Sequence, residues 1–356
     1  MDKQSEAFLH TYLNNTSPVS YETNGQKLWL DYLRPYINET YTDTYGTAVG
    51  TINPEATYKV AIEAHADEIS WYVNYITKEG YIYVIRNGGS DYEITPSMRA
   101  HIHVGQQTVP AVFGWPAVHV RDKKKPVKPD IETIVLDCGC HSAEEVQELG
   151  IHVGCVVTFD ANLMDLNQGY LVGRALDNRI GGFMIAEVAK RLHERKARLP
   201  FKLYVINAVQ EEIGLRGASM IAHRLQPHLA VVTDVTHDTQ SPQYNKIKQG
   251  DIACKKGPVL TYAPAVQNRV RDMLMDVATQ NQIPFQRLAS SRYTGTDTDA
   301  FAYAGAGIPS ALISLPLKYM HTTVEMVHKQ DVEQTIELFY QFLTQLQPEH
   351  DFSYFS

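Results

Sequence analysis

The sequence has few cysteines, no excess of positive charge and no long apolar run, and each shortage excludes a class of protein. Its 356 residues include four cysteines, too few for a disulfide framework, so we expect reduced thiols. The formal net charge is −8, whereas a protein that binds nucleic acid generally needs a basic face. No stretch approaches the roughly 20 apolar residues of a membrane-spanning helix. The sequence therefore predicts neither nucleic acid nor a membrane as a partner.

The N-terminal segment also lacks the features of a targeting signal. Residues 1–13 read MDKQSEAFLHTYL, with early acidic residues and without an apolar run that follows a basic start. We therefore expect a cytoplasmic protein. The sequence does have 44% hydrophobic and 20% charged residues, which is enough to bury a sizeable core. A chain of this length forms one large domain or two moderate ones.

The pattern of predicted helices and strands changes twice along the chain, which predicts one domain inserted into another. Residues 1–67 begin with helical stretches and end in a strand that starts at Tyr58. Residues 68–165 carry short β-rich runs separated by glycines, prolines and turn residues, as in a small barrel or sandwich. Over residues 166–356, apolar strands alternate with helices, a pattern typical of a mostly parallel sheet. We expect residues 1–67 and 166–356 to form an α/β catalytic domain and residues 68–165 to form a β-rich insert.

Two local predictions follow from residue type and spacing. The run Val118–Val120 has the composition of a short strand within the insert. The closing helix is expected over residues 331–346, with Asp331 as its cap and Gln334 completing a capping box. Its one-sided face, as in an amphipathic helix, consists of Ile336, Phe339, Tyr340 and Leu343.

Histidines and carboxylates gather where the predicted strands end, and Asp177 stands at the start of a predicted helix. Because the carboxyl ends of parallel strands meet at one edge of a sheet, side chains at these ends should converge. Oxygen and imidazole ligands without cysteine suit Zn²⁺, Co²⁺ or Mn²⁺, and one carboxylate can bridge two such ions. Taken singly, each of these residues has an ordinary structural explanation, such as a helix cap or a solvated pair. The residues that coincide are His65, Asp67, Asp177, Glu211, Glu212, Asp234 and His321.

Six stretches in fixed order carry a resemblance to a known family. They are AHADEIS (64–70), GRALDNRIGG (173–182), VQEEIGLRGA (209–218), VVTDVTHD (231–238), GTDTDAFAYAGAGIPSALISLP (295–316) and KYMHTTVEMV (318–327). With these stretches the whole chain resembles the family-42 metallopeptidases of the di-metal aminopeptidase clan. That family includes glutamyl, deblocking and tetrahedral aminopeptidases, and some relatives carry an endoglucanase label.

The resemblance implies a role for each residue of the predicted site. Two divalent metal ions would bind in each subunit, Zn²⁺ first and Co²⁺ or Mn²⁺ as alternatives. Glu211 would act as the general base and then the general acid, and Asp67 would orient a metal-binding histidine. The ligand sets would be His65, Asp177 and Asp234 for one ion, and Asp177, Glu212 and His321 for the other, with Asp177 as the bridge.

The resemblance also implies a fold and an assembly. The catalytic domain would be a three-layer α/β/α unit, and the β-rich insert would be a PDZ-like dimerisation domain. Dimers of the family assemble into twelve-subunit tetrahedral particles, so we expect a homo-oligomer built from dimers. The partners would be peptides, from which the protein removes N-terminal residues.

Two other functions stay open at this point. An endoglucanase-type glycoside hydrolase needs two carboxylates that face each other across a sugar bond. Glu211 and Glu212 are adjacent in the chain, which suits such a pair poorly. A catalytically inactive scaffold would have lost a ligand or the base, and the sequence keeps all of them. The sequence determines neither the preferred N-terminal residue nor the metal.

Overall fold

Residues 1–355, described by a computed structural model, form an eight-stranded sheet, a closed six-stranded barrel and a three-stranded sheet. The α-helices are α1 (Lys3–Asn14), α2 (Thr23–Leu33), α3 (Ala143–Glu148), α4 (Leu176–Glu194), α5 (Arg216–Leu225), α6 (Lys246–Gln249), α7 (Asn268–Gln280), α8 (Asp297–Ala302) and α9 (Lys329–Gln345). The strands are β1 (Glu39–Thr42), β2 (Ala48–Ile52), β3 (Lys59–His65), β4 (Ser70–Ile76), β5 (Ile82–Asn87), β6 (Arg99–Val104), β7 (Gln107–Gly114), β8 (Val135–Asp137), β9 (Val156–Phe159), β10 (Met164–Leu166), β11 (Tyr170–Gly173), β12 (Lys202–Ala208), β13 (Leu229–His237), β14 (Val259–Tyr262), β15 (Gln286–Ala289), β16 (Ser310–Leu317) and β17 (Glu325–His328).

The eight-stranded sheet has the order β1-β2-β12-β3-β13-β16-β14-β15. Its four central strands, β12, β3, β13 and β16, are parallel, so their carboxyl ends lie at one edge. Nearly all residues of these four strands are buried, including every residue of β16. Burial on both sides is expected of parallel strands whose two faces are covered by helices. The mostly parallel α/β sheet, which the alternation of strands and helices predicted, is therefore present.

Helices pack on both faces of this sheet. On one side α9 packs against both α4 and α7, with α4 against β3 and α9 against β16. On the other side α5 and α8 pack together, with α5 against β12 and α8 against β13 and β16. None of the helices within residues 1–355 has the length and apolarity needed to cross a bilayer.

The barrel has its own apolar core, separate from that of the sheet. Its strands close in the order β4-β5-β8-β7-β6-β9, so it lies between β3 and β10 in the chain. Trp71 is fully buried at its centre, with its ring centroid 4.8 Å from that of Tyr92 and 5.9 Å from that of Phe113. The short strands predicted within residues 68–165 thus belong to a closed barrel.

The strand predicted at Val118–Val120 and the cap predicted at Asp331 are wrong, whereas the closing helix itself is present. Val118–Val120 forms a turn of 3-10 helix rather than a strand. Helix α9 begins at Lys329 and is capped by His328, whose side chain accepts a hydrogen bond from the backbone N–H of Gln330. Asp331 instead accepts hydrogen bonds from two backbone N–H groups of a distant loop, at 2.6 and 2.8 Å. A tertiary contact therefore takes the carboxylate that the local spacing assigned to a cap.

Candidate metal centre

The edge where the parallel strands end positions the first two predicted ligands. His65 is the last residue of β3 and is in register with Ala208, the last residue of β12. Asp234 is not at a strand end, because β13 continues to His237. It reaches the same region from within the strand, where it is in register with Ser314 of β16. The convergence was predicted correctly, although Asp234 lies within β13 and not at its end.

Asp177, at the start of α4, faces two imidazoles with its two carboxylate oxygens. Its Oδ1 lies 3.3 Å from Nε2 of His65, and its Oδ2 lies 3.4 Å from Nε2 of His321. Nε2 of His321 also lies 3.5 Å from Oε2 of Glu212. Asp177 is thus placed between two histidines that belong to different parts of the fold.

The remaining two carboxylates complete the cluster around His65. Nε2 of His65 lies 3.9 Å from Oδ1 of Asp234 and 3.9 Å from Oε2 of Glu211. The structure therefore brings together all five predicted ligands and the predicted base. The cluster contains two imidazoles and four carboxyl groups, and its members are largely buried apart from His321.

Burial and mutual repulsion perturb the pKa values of this cluster. Burial raises the pKa of Asp234 to about 7 and that of Glu211 to about 10, against the opposing effect of His65. Burial also raises the pKa of Glu212 well above its ordinary value, and nearby Asp177 adds to the rise. Burial alone would raise the pKa of Asp177, but its contacts with the two histidines hold that pKa below its ordinary value. The cluster is therefore rich in carboxyl groups that lack enough positive charge around them.

These residues fit divalent metal ions. The cluster contains two sets of three residues, and within each set the ligand atoms all lie within 4.8 Å of one another. One set is His65, Glu211 and Asp234, and the other is His65, Asp177 and Glu212. Imidazole nitrogens and carboxylate oxygens are the ligands that Zn²⁺, Co²⁺ and Mn²⁺ accept. A divalent cation would also neutralise the buried carboxylates. These sets differ from the predicted division, since Glu211 joins one of them and His321 joins neither.

Asp67 contacts His65 and also the backbone of Glu211 and Glu212. Its carboxylate accepts hydrogen bonds from the backbone N–H groups of Glu211 and Glu212, at 3.0 and 3.1 Å. Its Oδ1 also lies 3.5 Å from Nδ1 of His65, a buried atom that has no hydrogen-bond partner within the described part of the chain. A proton on Nδ1 would leave Nε2 of His65 free to bind a metal. Asp67 is fully buried, so both contacts are shielded from water.

Glu211 and Glu212 lie in a turn beyond the end of β12, not on the strand. The alternation of side chains along a strand therefore does not explain why their carboxylates diverge. The turn explains it, because Oε2 of Glu211 approaches His65 while Oε2 of Glu212 approaches His321. Asp67 holds this turn in place through the two backbone hydrogen bonds.

Replacing Asp67 with asparagine is expected to weaken metal affinity by about 10- to 100-fold. The amide has one acceptor oxygen, so it leaves one backbone N–H of the turn without a partner. The affinity would be measured by competition with a chromophoric chelator. Asp331→Asn is a matched control, because Asp331 is also a buried carboxylate that accepts two backbone N–H bonds. Equal affinities for the two variants would contradict this role of Asp67.

Glu325 is a site residue that the sequence did not identify. Its carboxylate accepts hydrogen bonds from the backbone N–H of Asp177 at 3.0 Å and of His321 at 2.7 Å. It therefore fixes the backbone of Asp177, the proposed bridge, and of His321, a proposed ligand. Burial raises its pKa to about 8, with a contribution from Asp177. An acidic residue in a buried strand, four residues after His321, is the signal that could have revealed it.

Gly88 and Gly89, which follow strand β5 of the barrel, pack against the cluster. A Cβ atom on Gly89 would lie 2.7 Å from Cε1 of His321, and one on Gly88 would lie 3.2 Å from Cβ of Glu212. Gly88 also has a φ of +81°, which disfavours other residues. These glycines allow the end of β5 to approach the site, so the barrel and the sheet are in contact at the cluster.

A cavity of about 300 Å³ opens directly above the cluster. Thr294, Gly295, Thr296 and Met320 line it together with the cluster residues. Asp297, which follows in the chain, is fully buried beside Glu63 instead of lining this cavity. A cavity of this volume fits a small ligand such as a single amino-acid residue.

Comparisons with known proteins point to aminopeptidases. A family model described as M42 glutamyl aminopeptidase matches residues 46–338. A lysyl aminopeptidase of Pyrococcus furiosus is 32% identical over 331 residues, which cover 92% of this chain and 93% of that protein.

Solved structures agree on the fold. The TET aminopeptidase of a marine-sediment archaeon, Thaumarchaeota archaeon SCGC AB-539-E09, is 26% identical with a TM-score of 0.90, and 96% of each chain is covered. The PhTET1-12s dodecamer is 25% identical with a TM-score of 0.85, covering 97% of this chain and all of that one. A structure from Thermotoga maritima titled endoglucanase is 22% identical with a TM-score of 0.76, covering 94% of this chain and 96% of that one. That last likeness shows the fold alone.

Proposed function

The chain belongs to the M42 glutamyl aminopeptidase family, and we propose that it is a metal-dependent aminopeptidase that removes N-terminal residues from peptides. The observation that carries this proposal is the position of Asp177, with one carboxylate oxygen toward His65 and the other toward His321. One carboxylate between two imidazoles is the arrangement that a bridged pair of metal ions needs.

Two divalent ions would be held by the ligand sets already predicted, with Zn²⁺ proposed first and Co²⁺ or Mn²⁺ as alternatives. When bound, the ions polarise the scissile carbonyl and lower the pKa of a water molecule. The proposed ligands are His65, Asp177 and Asp234 for one ion, and Asp177, Glu212 and His321 for the other.

Glu211 is proposed to move the proton during hydrolysis. Its carboxylate lies at the cavity, close to His65 and not between the two histidines. In that position it accepts a proton from the attacking water and then donates it to the leaving amine. Asp67 keeps Glu211 in place through the backbone, so it is a positioning residue.

The finer features of the fold are proposals of the same kind. We assign the catalytic domain, with its three α/β/α layers, to residues 1–67 and 166–356, and the insert to residues 68–165. We propose that the insert is a PDZ-like dimerisation domain and that the dimers build a larger homo-oligomer. The separate core of the barrel and the likeness to the PhTET1-12s dodecamer support this assignment.

Removing the metal is expected to abolish N-terminal hydrolysis, and restoring it is expected to recover the activity. The assay would use a panel of aminoacyl-anilides and short peptides on untreated protein, on chelator-stripped protein, and after addition of Zn²⁺, Co²⁺ or Mn²⁺. Residue-by-residue release only in the presence of metal supports the proposal. Release that is unchanged by stripping would contradict it.

The glycoside hydrolase and the inactive scaffold have no observation in their favour. Glu211 and Glu212 share one turn and approach different histidines, so they do not face each other across a cleft for a sugar. All predicted ligands and the base are present and lie in one cluster, which supports an active enzyme. Cellulose hydrolysis that survives chelation would favour the glycosidase, and metal binding without any peptide hydrolysis would favour the scaffold.

A further inference from the structure

A second and larger cavity, of about 470 Å³, adjoins the candidate metal centre. The two cavities share part of their lining, namely Val235, Thr236, His237, Thr294 and Thr296. A substrate whose amine and scissile carbonyl lie at the cluster therefore has its first side chain beside this larger cavity. We call it the side-chain cavity, and its chemistry decides which N-terminal residues fit.

Positive charge lines the side-chain cavity through Lys246, Lys248 and Arg287. Lys246 is neutralised, because its Nζ lies 2.7 Å from Oδ1 of Asp251. Lys248 and Arg287 form no ion pair within residues 1–355, and Arg287 lies over the ring of Phe285. None of the described residues that line the cavity is acidic. Two uncompensated cations therefore give it a net positive charge.

The inner wall of the side-chain cavity is also polar. Thr261 and Ser314, on neighbouring strands of the sheet, are buried and line it. The hydroxyl of Thr261 has no hydrogen-bond partner among residues 1–355, so it is available to donate to a ligand. An unpaired buried hydroxyl is unfavourable against an aliphatic side chain and favourable against an acceptor such as a carboxylate.

We propose that the side-chain cavity selects substrates with an N-terminal glutamate or aspartate, and that Lys248 and Arg287 are its specificity residues. This inference rests on the proposed aminopeptidase function. Family membership does not decide the matter, because the family model and the relative are named for glutamyl and lysyl activities, which require opposite charges. Lys248 and Arg287 decide it here, because they repel a lysine and attract a carboxylate.

The first test compares kcat/KM for the anilides of glutamate, glutamine, leucine and lysine in wild-type protein with its metal restored. Glutamate and glutamine have nearly the same shape and differ in charge, so their ratio isolates the electrostatic contribution. We expect glutamate to be preferred over glutamine by about tenfold or more, which corresponds to about 1.4 kcal/mol. The preference should decrease from low to high salt, because exposed charges are screened. Equal rates for the two, or a preference for lysine, would overturn the inference.

The second test reverses the charges of the cavity with the double variant K248E/R287E. The expected result is a change of preference from glutamate to lysine, with metal content unchanged. K27E/R198E is the matched control, because it makes the same change in net charge at two exposed residues outside the cavity. This control should retain the wild-type preference. An unchanged preference in K248E/R287E would overturn the assignment of the two residues.

The outcomes separate this inference from the proposed function. If no substrate of the panel loses its N-terminal residue with any metal, the aminopeptidase function itself is wrong. If leucine or lysine substrates are cleaved well and glutamate substrates are not, the function stands and only the acidic specificity is wrong.

Discussion

The Glu211→Gln variant is expected to lose activity by a factor of about 10² to 10⁴ while its metal content and fold stay unchanged. Glutamine has the size of glutamate, but its amide does not take up a proton from water. Because the backbone N–H of Glu211 carries the hydrogen bond to Asp67, the substitution leaves the turn intact. The measurement is kcat for a cleaved anilide, with metal content from elemental analysis.

The neighbouring variant Glu212→Gln is the contrast that makes this test decisive. Both residues lie in the same turn, yet Glu212 approaches His321 and is a proposed ligand. We expect Glu212→Gln to lower metal affinity, so that excess metal restores part of its activity. Excess metal should restore nothing in Glu211→Gln. Near-normal turnover in Glu211→Gln, or a loss of metal equal to that of Glu212→Gln, would contradict the assignment of the base.

The Asp177→Asn variant is expected to have the largest effect on metal binding. Asp177 is the residue whose two oxygens face both histidines, so its change removes a ligand from both proposed ions. The number of metal ions per subunit should fall below one, and activity should fall by at least about a thousandfold, because bound metal contributes several kcal/mol to catalysis.

Asp234→Asn provides the comparison for the bridging role. Of the two histidines, Asp234 lies within 4 Å of His65 and not of His321, so this variant should keep one of the two ions. Thermal melting in the presence of chelator would verify that both variants fold. If Asp177→Asn and Asp234→Asn retained the same number of ions, Asp177 would not be a bridge.

The sequence predicted which residues meet, because strand ends and helix starts follow from local patterns. The family predicted from the six motifs is confirmed, and so is the aminopeptidase function drawn from it. The mixed α/β fold is also confirmed, and the β-rich texture of the insert proved to be a closed barrel. The roles of the individual ligands and of Glu211, as well as the domain limits, stay predictions.

The features that the sequence did not predict depend on contacts between distant residues. The two backbone hydrogen bonds of Asp67 and those of Glu325 join segments far apart in the chain. Asp331 was misassigned for the same reason, because its partners lie 74 and 76 residues away. Closure of the barrel pairs β4 with β9, which no local pattern reveals. Periodicity indicates which element a residue belongs to, but not which tertiary hydrogen bonds it makes.

The most direct test of the central claim is a metal titration of stripped protein, with release of the N-terminal residue from a short peptide followed by mass spectrometry. We expect no release without metal and complete recovery at two ions per subunit. Residues should leave one at a time from the N-terminus. Cleavage without metal, or cleavage inside the peptide, would contradict the claim that this site is a di-metal aminopeptidase centre.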